Sequence, residues 1–198
     1  MNTTLVIQAG GESSRMGENK ALRSFLGQSL IKRVLLKLSP AFQEVLLTAN
    51  QPEPYAFLGV RTVPDLQPGK GALGGLLTAL HYASNPVVAV AACDMPFASR
   101  KLLQHQVALL WSEEMDVVIP STDSGLEPLH CVFRRETCLP AVQKALQNGE
   151  RRMISWFSDV KVRVLSLEEV AAIEPSGLTF INVNTPEEFA RAEEMAKS

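Results

Sequence analysis

The sequence has almost no excess of charge of either sign. Among its 198 residues, 19 lysines and arginines stand against 21 aspartates and glutamates, and both signs are spread along the chain. Proteins that bind duplex nucleic acid or an anionic membrane surface need a concentrated basic patch. We therefore expect neither nucleic acid nor a membrane as a partner, and we expect any bound anion to be held by a local site.

Long apolar runs and paired cysteines are also missing. The longest apolar run, residues 87–93, is far shorter than the roughly 20 residues of a membrane-spanning helix. Residues 1–11 contain no basic segment and only a short apolar stretch, so they do not resemble a signal peptide. The sequence has three cysteines, Cys93, Cys131 and Cys138. An odd number without CxxC spacing argues against a disulfide framework and a zinc site. These absences predict a soluble, cytoplasmic protein with reduced thiols.

Apolar runs of strand length alternate with segments of helical periodicity along most of the chain. This pattern is typical of an α/β domain with a mainly parallel sheet. Because no linker or repeat divides the sequence, we predict one domain over residues 1–198. The best-marked helix begins at Pro186, behind Thr185 and with Glu188 at capping-box spacing. The predicted strands are 4–8, 44–48, 60–63, 87–92, 116–119, 129–133, 161–165 and 179–181. The other predicted helices are 30–38, 73–83, 101–111 and 136–146. Ser29 is the predicted N-cap of helix 30–38.

A glycine-rich loop follows the first predicted strand. Residues 8–20 read QAGGESSRMGENK. The backbone N–H groups of such a loop, at the carboxyl end of a strand, can hold a phosphate, and Arg15 and Lys20 add positive charge. The alternative is that the glycines only form a tight turn beside solvated bases. The loop is not a Walker A motif, because Lys20 does not directly follow Gly17 and no Ser or Thr comes after it.

Acidic residues follow two of the predicted strands. Asp94 comes after strand 87–92 and is followed by Met95 and Pro96. A carboxylate at the end of a buried strand favours a cation as partner, and Mg²⁺ commonly takes one or two carboxylates plus substrate phosphates. Asp65 follows strand 60–63 at the same edge of the sheet, where it is placed to contact a ribose, a base or the metal. The alternatives are a surface Asp94 that caps the next turn and a turn-forming Asp65.

One motif points to different chemistry. Residues 69–74 match GxGxxG, open a predicted helix and precede Asp94 by the spacing of a dinucleotide-binding fingerprint, which would indicate an NAD-dependent oxidoreductase. Against this, residues 64–68 separate the preceding strand from the first glycine, whereas the fingerprint needs its glycines in the strand-to-helix turn. Cys93 fits a small core residue better than a nucleophile. The histidines show no metal-ligand spacing; they are His81, His105 and His130.

Residues 9–20, with the pattern AGGxSxRMGxxK, resemble the signature loop of the nucleotidyltransferases typified by molybdenum cofactor guanylyltransferase. Later motifs agree in order and spacing over nearly the whole chain: GALGG at 71–75, CDMP at 93–96, ERR at 150–152 and NVNTPEE at 182–188. Gln8 stands where the family often has Leu, and Ala72 where it often has Pro. Ala-Gly-Gly at 9–11 is similar to guanine-specific relatives, whereas cytidylyl-transferring relatives tend to carry Ala-Ala-Gly.

The resemblance implies a fold, a reaction and a set of site residues. The fold is a three-layer Rossmann-like sandwich with a mainly parallel, mixed sheet flanked by helices. GTP is the donor, molybdenum-bound molybdopterin the acceptor, Mg²⁺ the cofactor and pyrophosphate a product, with molybdoenzyme-maturation proteins as further partners. The alternatives are a cytidylyltransferase for the same pterin, a sugar- or polyol-phosphate nucleotidyltransferase, and a nucleotide-binding module without catalysis. The implied roles are catalysis for Arg15, Lys20 and Asp94, with Asp94 on Mg²⁺; GTP binding for Gln8, Ala9, Gly10, Gly11, Lys20, Asn50, Asp65 and Asp94; and pterin binding for Asn182 and Asn184.

Overall fold

The computed structural model describes residues 2–9 and 19–197 as a sheet with helices on both faces. Short 3₁₀ turns connect several of the elements. The strands are β1 (Thr3–Gln8), β2 (Ser24–Phe25), β3 (Gln28–Ser29), β4 (Glu44–Thr48), β5 (Arg61–Val63), β6 (Val87–Ala92), β7 (Val117–Thr122), β8 (Gly125–Leu126), β9 (His130–Arg134) and β10 (Val162–Leu165). The α-helices are α1 (Leu30–Leu38), α2 (Gly71–Tyr82), α3 (Arg100–Ser112), α4 (Arg135–Gln147), α5 (Leu167–Ile173) and α6 (Pro186–Met195).

The main sheet has the strand order β10-β7-β9-β6-β1-β4-β5, and β8 pairs with β7. β1 lies parallel to both of its neighbours, with Gln8 opposite Thr48 on β4 and opposite Ala92 on β6. β9 runs antiparallel to β6 and to β7. The carboxyl ends of β6, β1, β4 and β5 therefore meet at one edge, where ligands of open α/β sheets bind. The mainly parallel, mixed sheet with flanking helices is confirmed.

All six residues of the central strand β1 are buried, so both faces of the strand are covered. Leu5 and Ile7 pack in the core with residues of α1, α3 and α5, whereas Val6 packs in the opposite core with residues of α2 and α4. Because successive side chains alternate between the faces of a strand, Gln8 follows Val6 onto the α2 face. The sequence thus brings a polar amide to the carboxyl end of the sheet on that side.

A small third core attaches the C-terminal segment to this edge. The ring of Phe25 meets those of Phe97 and Phe189 edge to face, at centroid distances of 6.4 Å and 6.3 Å. Val183 is fully buried among them. Its N–H donates to the carbonyl oxygen of Asp94 at 3.0 Å. The residues on either side of Val183 are therefore held at the end of β6.

Most predicted helices and strands agree with the structure within a few residues, including α6 with its complete capping box. The strand predicted at 179–181 is wrong, because these residues lie in a turn in which Ile181 N–H donates to Leu178 O at 3.0 Å. Ser29 takes the N-cap position of α1 without making a side-chain cap bond. Helix α5 and the β2–β3 hairpin are not among the predicted elements. Among the described residues, no helix combines the length and apolar character needed to cross a membrane.

Candidate active site

A partly buried hydrogen bond between Asn19 and Tyr55 sets the position of Lys20. Asn19 caps the 3₁₀ turn Lys20–Leu22 by accepting a hydrogen bond from the N–H of Ala21 at 3.2 Å. Its Nδ2 donates to the hydroxyl oxygen of the buried Tyr55 at 2.8 Å. Burial raises the pKa of the Tyr55 phenol, so it stays neutral at physiological pH. The bond between Asn19 and Tyr55 ties the end of the glycine-rich loop to the segment that follows β4.

Lys20, Asp94 and Asn184 form a cluster that we call the charged cluster. Lys20 Nζ lies 3.2 Å from Asp94 Oδ2 and 2.5 Å from Asn184 Oδ1. The Lys20 and Asp94 side chains are 26% and 19% exposed, so the ion pair is reachable from solvent. The cluster joins the turn after the glycine-rich loop, the end of β6 and the start of α6. A fixed ammonium beside a carboxylate at this edge is suited to bind phosphates and their counter-ion.

The start of α6 fixes Asn184 in this cluster. Its N–H donates to Glu188 Oε2 at 2.6 Å, and the same carboxylate accepts from the N–H of Thr185 at 3.0 Å. Asn182, on the other side of Val183, is exposed and directs its Nδ2 toward Phe180 O at 3.4 Å. Of the two asparagines predicted to face the acceptor, the structure therefore brings Asn184 into the charged cluster and leaves Asn182 at its rim.

Gln8, Asn50 and Asp65 lie on the α2 side of the same edge, and we call them the polar trio. The Gln8 side chain is buried, and a Cβ added to Gly75 would lie 2.9 Å from its Oε1, so the amide rests directly against α2. Burial raises the pKa of the Asp65 carboxyl, and a hydrogen bond with Asn50 opposes this shift. Gln8 Nε2 and Asp65 Oδ1 are buried without a hydrogen-bond partner within residues 2–9 and 19–197.

The sheet, the charged cluster and the polar trio occur in a chain that is similar to known nucleotidyltransferases. The family model described as the MobA-like NTP transferase domain matches residues 5–162, which is most of the chain. The chain belongs to this family. The resemblance drawn from the glycine-rich loop and the later motifs is thereby confirmed.

Full-length relatives agree with this family. The chain is 35% identical over 198 residues to a probable molybdenum cofactor guanylyltransferase of Pelotomaculum thermopropionicum, covering 100% of this chain and 95% of that protein. It is 31% identical over 196 residues to the molybdenum cofactor guanylyltransferase of Desulfosudis oleivorans, covering 98% and 96%. The crystal structure of molybdopterin-guanine dinucleotide biosynthesis protein A from Archaeoglobus fulgidus superposes with a TM-score of 0.83 at 27% identity, covering 98% of each chain.

The glycine motif that suggested dinucleotide binding has a different setting in this MobA-like domain. Residues 64–70 separate the end of β5 from the start of α2 at Gly71, so the glycines do not form the strand-to-helix turn itself. Gly74 packs tightly instead, since a Cβ there would lie 2.7 Å from Lys70 Cβ. Arg151 donates to Gly69 O at 3.1 Å and attaches the segment after α4 to this loop.

Two side chains with reactive groups, those of Cys93 and His130, have a structural role in the core. Cys93 is buried and its pKa is raised to about 12 by burial, which confirms a core thiol and not a nucleophile. His130 is buried, accepts the N–H of Ser99 at Nε2 over 3.1 Å, and has its pKa lowered to about 4 by burial. Within the described parts of the chain, no cluster of three or more His, Cys, Asp and Glu side chains is arranged to hold a metal.

Other predicted residues lie at or near the loop that precedes Lys20. Ala9 continues the pairing of β1, with its N–H donating to Thr48 O at 2.9 Å. Gly10, Gly11 and Arg15 lie outside the described residues. Asn19 and Gly75 support the site but are not among the predicted site residues. Asn19 carried one usable signal, because Asn is a strong N-cap residue directly before Lys20.

Proposed function

We propose that this chain transfers GMP from GTP to molybdenum-bound molybdopterin, forming molybdopterin guanine dinucleotide and releasing pyrophosphate. The observation that carries the proposal is the charged cluster, which joins a lysine, a carboxylate and an amide at the ligand-binding edge of a MobA-like domain. The names of the full-length relatives support guanine as the base and the molybdenum cofactor as the acceptor of the guanylyl group. The same proposal includes a cytoplasmic location and contact with molybdoenzyme-maturation proteins.

The reaction needs no protein nucleophile. A terminal phosphate oxygen of the acceptor attacks the α-phosphorus of GTP in line, a new P–O bond forms, and the bond to the bridging oxygen breaks as pyrophosphate leaves. Catalysis then consists of positioning and of neutralising the charge on the phosphate oxygens. Lys20 supplies positive charge from a fixed position, because Asn19 holds its turn. Asn184 orients the Lys20 ammonium through the bond to Nζ, and Arg15 adds charge from the glycine-rich loop.

The donor set at the end of β6 fits Mg²⁺. Asp94 is a partly exposed carboxylate whose Oδ2 already accepts a cationic partner, the Lys20 ammonium. Mg²⁺ usually keeps several waters and binds through one or two carboxylates plus substrate phosphates, so one protein carboxylate is sufficient. Asp94 would hold the ion, which when bound supplies additional positive charge to the GTP phosphates.

The first test is nucleotide selectivity. We would measure the thermal stabilisation of the purified chain by GTP, CTP, ATP and NAD, each with and without Mg²⁺, because a ligand of the native state raises Tm by mass action. The proposal predicts a GTP-selective shift that Mg²⁺ enlarges, followed by pyrophosphate release when molybdenum-bound molybdopterin is added. A CTP-selective shift would indicate a cytidylyltransferase instead. GTP binding without turnover on the acceptor would contradict catalysis and favour a nucleotide-binding module.

A further inference from the structure

His130 is a fully buried histidine that takes no direct part in the proposed reaction. Its Nε2 accepts the N–H of Ser99 at 3.1 Å. The proton of the neutral ring is therefore on Nδ1, which has no hydrogen-bond partner among the described residues. Val132, two residues later on β9, packs in the core with residues of α1, α3 and α5, and alternation along the strand places His130 on the same face. The ring thus lies on the opposite side of the sheet from the polar trio.

Ser99 ends the segment that carries Asp94. This segment follows β6, and its first residue is held by the bond from Cys93 N–H to Gln8 O at 3.0 Å. Its last residue, Ser99, is the N-cap of α3, and the bond from its own N–H to His130 holds it in place. Asp94 therefore lies between two fixed points, one on β1 and one on β9.

The ring of His130 also meets the segment that carries Asn184. The Phe180 ring lies edge to face against it, with the two centroids 5.6 Å apart and the planes at 89°. Three residues beyond Phe180, the N–H of Val183 donates to the carbonyl oxygen of Asp94 at 3.0 Å. One buried ring therefore contacts both segments that meet at the end of β6 and supply the charged cluster.

We propose that His130 is a positioning residue for guanylyl transfer, which sets the placement of Asp94 relative to Asn184 by bonding Ser99 and packing on Phe180. This inference rests on the proposed function, since it requires that the charged cluster hold the reacting phosphates. An imidazole suits this place because it combines an acceptor for a buried N–H with an aromatic surface. Loss of the acceptor leaves the Ser99 N–H buried and unpaired, which favours a shift of the segment. A misplacement of about 1 Å can lower a rate by about 10²-fold.

Two substitutions of His130 separate the acceptor from the ring. His130→Gln can place an amide oxygen near the position of Nε2 and keeps the acceptor, whereas His130→Phe keeps an aromatic ring and removes the acceptor. We would measure kcat from pyrophosphate release at saturating GTP and acceptor, the Kd of GTP by calorimetry, and Tm. We expect His130→Phe to lower kcat about 10-fold and His130→Gln to lower it by less than about threefold. The Kd of GTP should change by less than about threefold in both, because the ring does not reach the polar trio.

A double-mutant cycle tests whether the effect passes through the charged cluster. Asn184→Ala removes one of the groups that His130 is proposed to place, so His130→Phe should lower kcat by only about threefold in that background. A general effect on folding would give the same factor in both backgrounds. Phe180→Leu leaves the bond from Ser99 to the ring in place, and it serves in the same cycle if His130→Phe does not fold. We expect this variant to lower kcat about threefold alone and less in the Asn184→Ala background.

Cys131→Ala is the matched control. Cys131 is the next residue on β9 and is equally buried, but it packs in the core with residues of α2 and α4. This variant should lower Tm and leave kcat unchanged. The ring itself can be observed by NMR on protein with isotope-labelled histidine, where His130 should be the Nδ1–H tautomer at neutral pH.

Three outcomes would overturn the role given to His130. Unchanged turnover in His130→Phe would mean that the ring does not position the cluster. Equal factors with and without Asn184 would mean that the ring acts through the fold as a whole. An Nε2–H tautomer would mean that the bond from Ser99 does not exist. Failure of the proposed function has a different signature, because wild type itself would then release no pyrophosphate from GTP and acceptor.

Discussion

The polar trio and the charged cluster lie at the same edge of one sheet but satisfy their polar groups differently. In the charged cluster, Lys20 bonds both Asp94 and Asn184, so opposite charges already meet within the protein. In the polar trio, Gln8 Nε2 and Asp65 Oδ1 are buried and have no partner among the described residues. One half of the candidate site is internally paired, whereas the other half carries unmet hydrogen bonds.

This difference assigns different tasks to the two halves. Unmet buried donors and acceptors favour a ligand that supplies complementary groups, so the polar trio is suited to recognise a base. Paired charges near solvent can exchange partners when a phosphate and a metal arrive, at lower cost than fully buried charges. The charged cluster is therefore suited to the reacting phosphates, and mutations in the two halves should have different kinetic signatures.

The largest effect is expected from Asp94. Asp94→Ala, and likewise Lys20→Ala, should lower kcat about 10²- to 10³-fold with little change in Tm, because each removes one preorganised electrostatic contact. Steady-state assays of pyrophosphate release with a thermal melt would measure both quantities. Asp159→Ala is the control, since it removes an exposed carboxylate paired with Lys144 at 2.8 Å and should leave kcat unchanged. Turnover near that of wild type in Asp94→Ala would contradict the assignment of the phosphates to this cluster.

The two asparagines before α6 should differ next. Asn184→Ala removes the bond to the Lys20 ammonium, and the loss of a hydrogen bond to a charged group predicts about a 10- to 100-fold lower kcat. Asn182 contacts Phe180 O instead, so Asn182→Ala should change kcat by less than about threefold. The two rates, measured at saturating GTP and acceptor, test whether the charged cluster extends to Asn184. Equal effects, or a larger one for Asn182, would show that it does not.

A smaller effect is expected where the polar trio meets α2. Gly75→Ala forces the Gln8 amide away, since its Cβ would lie 2.9 Å from Oε1, and should weaken GTP binding several-fold. Alanine is the better helix former by about 1 kcal/mol, so Tm should not fall in parallel. Gly74→Ala is the contrast, because its Cβ would lie 2.7 Å from Lys70 Cβ and 3.2 Å from the backbone oxygen of Gln67, which should lower Tm. Calorimetry for Kd and thermal melts separate the two glycines. A fall in Tm for Gly75→Ala without a change in Kd would reverse the interpretation.

Local patterns in the sequence predicted most of the fold. The apolar run of β6 predicted a buried strand, because a strand covered on both faces can tolerate few polar residues. Thr185 and Glu188 predicted the start of α6 correctly. The same capping box at Ser166 and Glu169 was overlooked, and with it α5. The error at 179–181 came from Phe and Ile favouring a strand, whereas Phe180 packs instead on the ring of His130 in a turn.

The contacts within the candidate site do not follow from local sequence patterns. Lys20 and Asn184 are 164 positions apart in sequence, and no periodicity states which loops meet at the edge of a sheet. The family resemblance supplied these roles, and the structure supplies the contact between Lys20, Asp94 and Asn184. The contact of Gln8 with Gly75 is of the same long-range kind. The strand register and the packing of α2 on the sheet bring Gln8 and Gly75 together, and no local motif encodes this contact.

The smallest predicted effect concerns the stability of the polar trio without nucleotide. Burial raises the pKa of Asp65, so the folded state binds its proton more tightly than the unfolded state does. The ionised carboxylate therefore destabilises the fold above its raised pKa, and this penalty disappears as the pH falls toward the ordinary value. Asp65→Asn should raise Tm by a few degrees at most at pH 7, and the difference from wild type should shrink on acidification. Thermal melts of both proteins across this pH range, with Asp159→Asn as an exposed control, measure it. A lower Tm for Asp65→Asn at pH 7 would mean that Asp65 is a structural partner of Asn50, and the contrast between the two halves of the site would no longer hold.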